Sequence, residues 1–159
     1  MVAFSGVSHV ALTVTDLDRS ERFYREVFDL IRLVDFGVAR VLLHRQTGFM
    51  LSVVTHEAGA RGPFSELNTG LDHLGFVAED RDELLEWEER FDELGVVYTP
   101  IRDMEFGSHL NFRDPDNIAL ELSCSNEVMK GWLAELVERD IPAEEREARL
   151  TEYLMSLAH

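Results

Sequence analysis

One stretch of sequence occurs twice in this chain, and the repeat limits the fold more than any other feature. Val7-Ser8-His9-Val10-Ala11-Leu12-Thr13-Val14 is matched, sixty-four residues later, by Leu71-Asp72-His73-Leu74-Gly75-Phe76-Val77-Ala78. Each copy is apolar, rich in residues that suit a strand, and carries one histidine near its start. Seven residues after each histidine stands an aspartate, Asp16 or Asp80, and a helical pattern follows each aspartate. The repeat predicts two copies of one supersecondary unit, with a histidine in an equivalent place in each.

In the first unit, residues 7–14 are expected as a strand. Asp16 or Asp18 caps a helix with residues 19–30 as its body, whose Phe23, Val27 and Leu30 share one face. Strands are expected at 31–36, 38–44 and 49–55, the first two joined through Gly37 and the third preceded by the turn Gln46-Thr47-Gly48. The second unit repeats the order. Residues 71–78 form a strand, and a helix capped by Asp80 carries Leu84, Trp87, Phe91 and Leu94 on one face and ends at Gly95. Strands follow at 96–101, 106–112 and 118–123, with Asp114-Pro115-Asp116-Asn117 as a turn. The modules are therefore residues 5–57 and 70–124, joined by a glycine-rich linker at 58–69.

Residues 125–159 belong to neither module. Val128, Trp132, Leu133, Leu136 and Val137 make one apolar helical stripe, and Pro142 opens a second helix with Leu150, Tyr153, Leu154 and Leu157 along its face. A helix with one apolar side packs on something, here the chain's own body or a second subunit, and a homodimer is expected. The chain carries 31 acidic residues against 15 basic ones, a formal charge of −16. Such a surface repels phosphate backbones and anionic lipid, so neither nucleic acid nor a membrane is an expected partner. No run approaches the ~18 apolar residues of a spanning helix, and no leader opens the sequence, so a cytoplasmic protein is expected. Cys124 is the single cysteine, which excludes an intrachain disulfide and reads as a buried or edge thiol.

Glu121 interrupts the apolar run Ile118-Ala119-Leu120-Glu121-Leu122. A carboxylate in such a strand must pair, take up a proton or bind a metal. Alternation places it on one face with Ala119 and Ser123. His73 and Glu121 are thus the polar exceptions in the first and last strands of one module, and His9 is the polar exception in the first strand of the other. Two imidazoles and a carboxylate form the ligand set of an open divalent-metal site, with positions left for water and substrate. Iron, nickel and zinc suit the imidazoles, and manganese suits the carboxylate. The plainer alternative is three unrelated strand residues satisfied by backbone hydrogen bonds.

The repeated unit, its strand-borne histidines and the run Phe112-Arg113-Asp114-Pro115-Asp116-Asn117-Ile118-Ala119-Leu120-Glu121-Leu122 resemble the vicinal oxygen chelate superfamily. That group holds glyoxalase I, extradiol dioxygenases, methylmalonyl epimerase, fosfomycin-modifying thiol transferases and bleomycin-resistance proteins. The resemblance covers residues 5 to about 124. It implies an α+β fold in which two tandem βαβββ modules form a cupped mixed sheet, here with a C-terminal helical extension. It also implies a divalent metal at the base of the cup, held from the first and last strands of each module. His9, His73 and Glu121 fall on three of those four places. Matching Gly48–Ser52 to Asn117–Glu121 puts Ser52 on the fourth, whereas an ungapped repeat puts Glu57 there; Ser52 is preferred because Glu57 falls past the strand's end.

A His-His-Glu set is more similar to the extradiol dioxygenase arrangement than to that of glyoxalase I, whose fourth ligand transfers the proton. The expected function is a divalent-metal-dependent small-molecule enzyme of lyase/isomerase or dioxygenase type. Glu121 would take part in catalysis with the metal, and His109 or His56 would carry the proton. His44 reads as a strand-end residue. Arg40, Arg45, Arg102 and Arg113 are cations that could face an anionic substrate, and no spacing ranks them. The alternative is a metal-free resistance protein that sequesters an antibiotic, a cationic one by the acidic surface. A third possibility is a chain that keeps the ligands after losing the activity.

Overall fold

The computed structural model describes residues 4–59 and 62–157, so Ala60 and Arg61 of the expected linker and the extreme termini lie outside the described residues. The first module runs β1 (Val10–Thr13), α1 (Leu17–Phe28), β2 (Ile31–Asp35), β3 (Ala39–Leu43) and β4 (Met50–Val54). The second repeats it as β5 (Leu74–Val77), α2 (Arg81–Leu94), β6 (Arg102–Met104), β7 (Gly107–Arg113) and β8 (Ala119–Ser125). The extension forms α3 (Glu127–Glu138) and α4 (Ala143–Leu157). None of these helices is long and apolar enough to cross a membrane.

Each module builds its own four-stranded mixed sheet, ordered β1-β4-β3-β2 and β5-β8-β7-β6. In both, the first strand pairs parallel with the last, and the other neighbours are antiparallel. The two helices start alike: the Asp16 carboxylate accepts from the Arg19 amide at 3.0 Å, and Asp80 from the Glu83 amide at 2.9 Å. These caps satisfy amide groups that the first helical turn leaves without partners. Gly95 ends α2 in the left-handed region at φ 67°, as its place in the sequence predicts.

Strand alternation sorts the side chains. Along β8, Leu120, Leu122 and Cys124 are buried, while Glu121, Ser123 and Ser125 look out from the opposite face. The inward faces of both sheets and the two helices share one core. Phe28 of α1 packs against Phe76, Trp87 and Phe112 of the second module, with ring centroids 4.5, 5.6 and 6.1 Å away. Arg90 donates to the Val27 carbonyl at 2.9 Å, which satisfies an orphan group near the end of α1. The sheets thus stand back to back on the helices, and their outward faces remain open.

Asp114 and Asp116 fasten the modules together. Asp114 is buried and accepts from the Tyr24 hydroxyl at 3.0 Å and the amides of Asp116 and Ile118 at 2.9 and 2.8 Å. Burial raises its pKa above the usual carboxylate range, although those three donors oppose the rise. Asp116 accepts from the Thr15 amide at 2.8 Å and from Arg19 at 2.6 Å, at the turn that opens α1. Asp114→Ala would strand a buried phenol and two amides. It is expected to cost about 2–4 kcal/mol. The check is a urea melt whose midpoint falls with an unchanged slope; a midpoint within error of the parent would show that the turn is held by other contacts.

Two expectations need correction, and a third is met only in part within one chain. Residues 96–101 do not form a strand: Tyr98 makes an isolated bridge to Phe112, and the strand proper begins at Arg102. Pro100 has no amide to give a ladder, and the Ile101 amide is taken by the Glu88 carboxylate at 3.2 Å. Helix α1 begins and ends two residues earlier than expected, because Asp16 is the cap and Asp29 leaves the helix at φ 53°. Tyr24 rather than Phe23 then occupies the innermost position. Finally, α3 and α4 bury no residue of their own. They meet the body where Phe106 packs on Trp132 and Tyr153 and where Asn126 reaches the Tyr153 hydroxyl at 2.9 Å, so most of the apolar stripe, such as Val137, stays uncovered.

Candidate metal centre

Glu121 lies in the middle of β8, on the open face, and is paired in register with Gly75 of β5. Its side chain is 16% exposed. Among the described residues the Glu121 carboxylate has one close donor: His109 Nδ1 lies 3.0 Å from Oε2. A carboxylate oxygen only accepts, so His109 carries its proton on Nδ1. The other oxygen, Oε1, faces His73 Nε2 at 4.0 Å. The glycine at position 75 leaves this side of the carboxylate open, for a Cβ there would sit 3.9 Å from Oε1.

His73 precedes β5 by one residue, two positions before Gly75, and so shares the face of Glu121. Its Nδ1 lies 2.6 Å from Asp72 Oδ1 and donates to it, and in the neutral imidazole that tautomer turns the Nε2 lone pair toward Glu121. A histidine held by a carboxylate on one nitrogen, with the other free, is the usual arrangement of a metal ligand with its outer partner. An imidazole nitrogen and a carboxylate oxygen are donors that suit a divalent cation. At 4.0 Å they stand farther apart than the roughly 3–3.4 Å between neighbouring ligands of a tetrahedral or octahedral ion, so sharing one would draw the two side chains together. Asp72 escaped the sequence reading although it adjoins His73; its role depends on a side-chain direction that adjacency does not reveal.

The rest of the expected set is dispersed. His9 is exposed, just ahead of β1, with its Nδ1 2.9 Å from Ser8 Oγ. Among the described residues, no group of three or more His, Cys, Asp or Glu side chains within the chain could hold a metal. Ser52 pairs with Ala11 as Glu121 pairs with Gly75, so the two last strands place Ser52 and Glu121 at equivalent positions. Glu57 is exposed in the turn beyond β4. His56 is exposed there too, its carbonyl accepting from Gly59 at 3.0 Å. His44 ends its strand as expected, with Nδ1 2.8 Å from Thr47 Oγ1. Of the histidines considered as proton carriers, only His109 touches Glu121.

A cleft of about 570 Å³ opens beside His73 and is bordered by Asp72, Asn111, Arg102, Arg113 and Glu66, with Ile101, Phe112 and Leu120 among its apolar walls. Asn111 is the register partner of Glu121 across β7 and β8. Arg113 is engaged by Glu66 at 2.6 and 3.1 Å, which pulls the Glu66 carboxyl down to about 2. A larger groove, about 850 Å³, runs between the modules and is lined mainly by apolar side chains, Phe28, Phe49, Phe76 and Trp87 among them, with Glu83 and Glu86 also bordering it.

The Glyoxalase/Bleomycin resistance protein/Dioxygenase superfamily model matches residues 6–122. No curated protein matches the chain. Among solved structures, a glyoxylase/bleomycin resistance protein/dioxygenase domain from Frankia sp. EAN1pec is 40% identical, covers 79% of this chain and 95% of its own, and superposes with a TM-score of 0.71. The fosfomycin resistance protein FosX from Listeria monocytogenes, complexed with Mn(II) and sulfate, is 23% identical over 80% of this chain and 96% of its own, with a TM-score of 0.62. FosX from Mesorhizobium loti is 24% identical over 80% and 98%, with a TM-score of 0.60. At those identities the two FosX structures establish the fold. The family match ends before α3, so both helices of the extension lie outside it.

Proposed function

The chain belongs to the Glyoxalase/Bleomycin resistance protein/Dioxygenase superfamily, and from that premise we propose that it is a divalent-metal-dependent enzyme acting on a small molecule, by lyase/isomerase or dioxygenase chemistry. The observation that carries the reading is the His73–Glu121 pair, with Asp72 behind the histidine and His109 behind the carboxylate. We further propose that His9 completes the set from a second copy of the chain. β1 and β5 are both unpaired edges of their sheets, and His9 and His73 stand one residue ahead of them in the same way. Val77 on β5 is 89% exposed and Val7 ahead of β1 is 79% exposed, so both edges carry apolar surface without a cover. A homodimer that lays β1 of one copy along β5 of the other covers both and brings His9 to His73.

Bound there, a divalent ion of iron, manganese, nickel or zinc would act as a Lewis acid toward neighbouring oxygens of the substrate. The chain's residues do the rest. His9, His73 and Glu121 are the donors, and Asp72 keeps the His73 Nε2 lone pair available. His109 holds Glu121 through Nδ1 and offers Nε2 as the atom that accepts or returns a proton. His56, exposed on its turn, is the weaker candidate for that task.

Elemental analysis of the purified full chain tests this. About one divalent ion per chain is expected, with EDTA removing both the ion and turnover and the ion restoring both. A second reading has its own observation: the groove between the modules is mostly apolar and is bordered by three carboxylates, Asp29, Glu83 and Glu86, against one arginine, Arg90, which suits a cationic antibiotic with an apolar body. Stoichiometric drug binding in EDTA, by a chain that takes up no metal and turns nothing over, would establish that reading instead.

A further inference from the structure

We infer that the substrate carries an anionic group, a carboxylate or a phosphoryl-type oxyanion, and that Arg102 receives it. The inference rests on the metal reading above and adds the substrate's charge class. Four arginines were candidates by sequence, and the fold separates them. Arg40 is consumed by Asp18, Glu21 and Asp35 at 2.7–3.1 Å, beneath α1. Arg113 is held by Glu66. Arg45 is exposed in the β3–β4 turn and borders none of the clefts described. Arg102, an exposed residue, is the one of the four that borders the His73 cleft with a guanidinium that has no ion-pair or hydrogen-bond partner among the described residues.

Its placement follows from register. Arg102 pairs with His109 across β6 and β7, and His109 pairs with Ser123 across β7 and β8, so Arg102 stands on the sheet face that carries Glu121. Asn111, two positions along β7 from His109, borders the same cleft and adds an amide that can donate beside the guanidinium. In a chain with 31 acidic residues to 15 basic, an arginine is readily satisfied by a carboxylate. Leaving one unpaired in the cleft that holds a metal ligand keeps a planar, two-pronged donor free for a planar or tetrahedral oxyanion. A substrate lying in the cleft beside His73 would have Arg102 and Asn111 on the same wall to receive its anionic end.

The test uses two chelating probes that differ by one charge, catechol and 3,4-dihydroxybenzoate, titrated calorimetrically into the metal-loaded full chain. Wild type is expected to bind the carboxylated probe more tightly. Arg102→Ala should weaken that probe about tenfold, the scale of one charge-assisted contact, while leaving catechol within about twofold. Arg102→Lys should recover part of the loss, and metal content should match wild type in both variants. Equal effects on the two probes, or none on either, would overturn the inference while leaving the metal reading intact. If the chain takes up no metal, the metal reading fails. Inorganic phosphate titrated into that chain then decides the anion site alone, where binding lost in Arg102→Ala supports it and binding unaffected or absent in wild type overturns it.

Discussion

Glu121→Gln is expected to empty the metal centre while leaving the fold intact. The substitution keeps the shape of the side chain and an oxygen to accept from His109 Nδ1, and it removes only the charge. Loss of an outer partner of a metal ligand costs roughly 10–100-fold in affinity, so loss of the anionic ligand itself should cost about 100-fold or more. Turnover should fall with it. Compared metal-free in EDTA, the two proteins should have the same urea midpoint or a higher one for the variant, since a largely enclosed carboxylate with one hydrogen bond contributes little net stability and its removal relieves desolvation. Ser52→Ala is the matched control: it alters the equivalent register position of the first module, and metal content should not change. Elemental analysis of the three proteins decides the matter. Wild-type metal content in Glu121→Gln would remove Glu121 from the ligand set and sink the proposed chemistry.

How far this centre could be seen in the sequence differs from residue to residue. Glu121 was legible because one charge in an alternating apolar strand has few explanations, and the structure puts it on the outward face that alternation assigns. The Ser52–Glu121 equivalence was harder. The first strands match at an offset of sixty-four, Ala11 to Gly75, but the last strands match at sixty-nine, Ser52 to Glu121. The difference accumulates after α2, where Thr99-Pro100 breaks the strand and lengthens the path to β7, so an ungapped repeat slides Glu57 into a place that it does not hold. His109 and Arg102 depended on the β6–β7 register, which residue patterns leave free by two at a time. Helix α2 was legible nearly to the residue because a capping aspartate and a terminal glycine bracket it. The extension was legible as two one-sided helices, but a stripe names a need for cover without naming the cover.

His9 is the residue on which a single chain's pattern says least, and a mixed dimer resolves it. Co-expression of a His9→Ala chain and a Glu121→Ala chain with different tags allows the heterodimer to be purified through both. If each site takes His9 from one copy and His73 with Glu121 from the other, one site of the heterodimer is doubly damaged and the other is fully intact. It should then hold about half the metal and half the turnover of wild type, although each parent homodimer has neither. The reciprocal pairing turns the result around. A chain carrying both substitutions, paired with a wild-type chain, damages each shared site once, so that heterodimer should be empty. A site built within one chain predicts the opposite in both mixtures, nothing from the first and about half from the second. Because the two arrangements exchange their outcomes, a poorly folded variant cannot imitate either pattern: misfolding lowers both mixtures, whereas sharing raises one and silences the other.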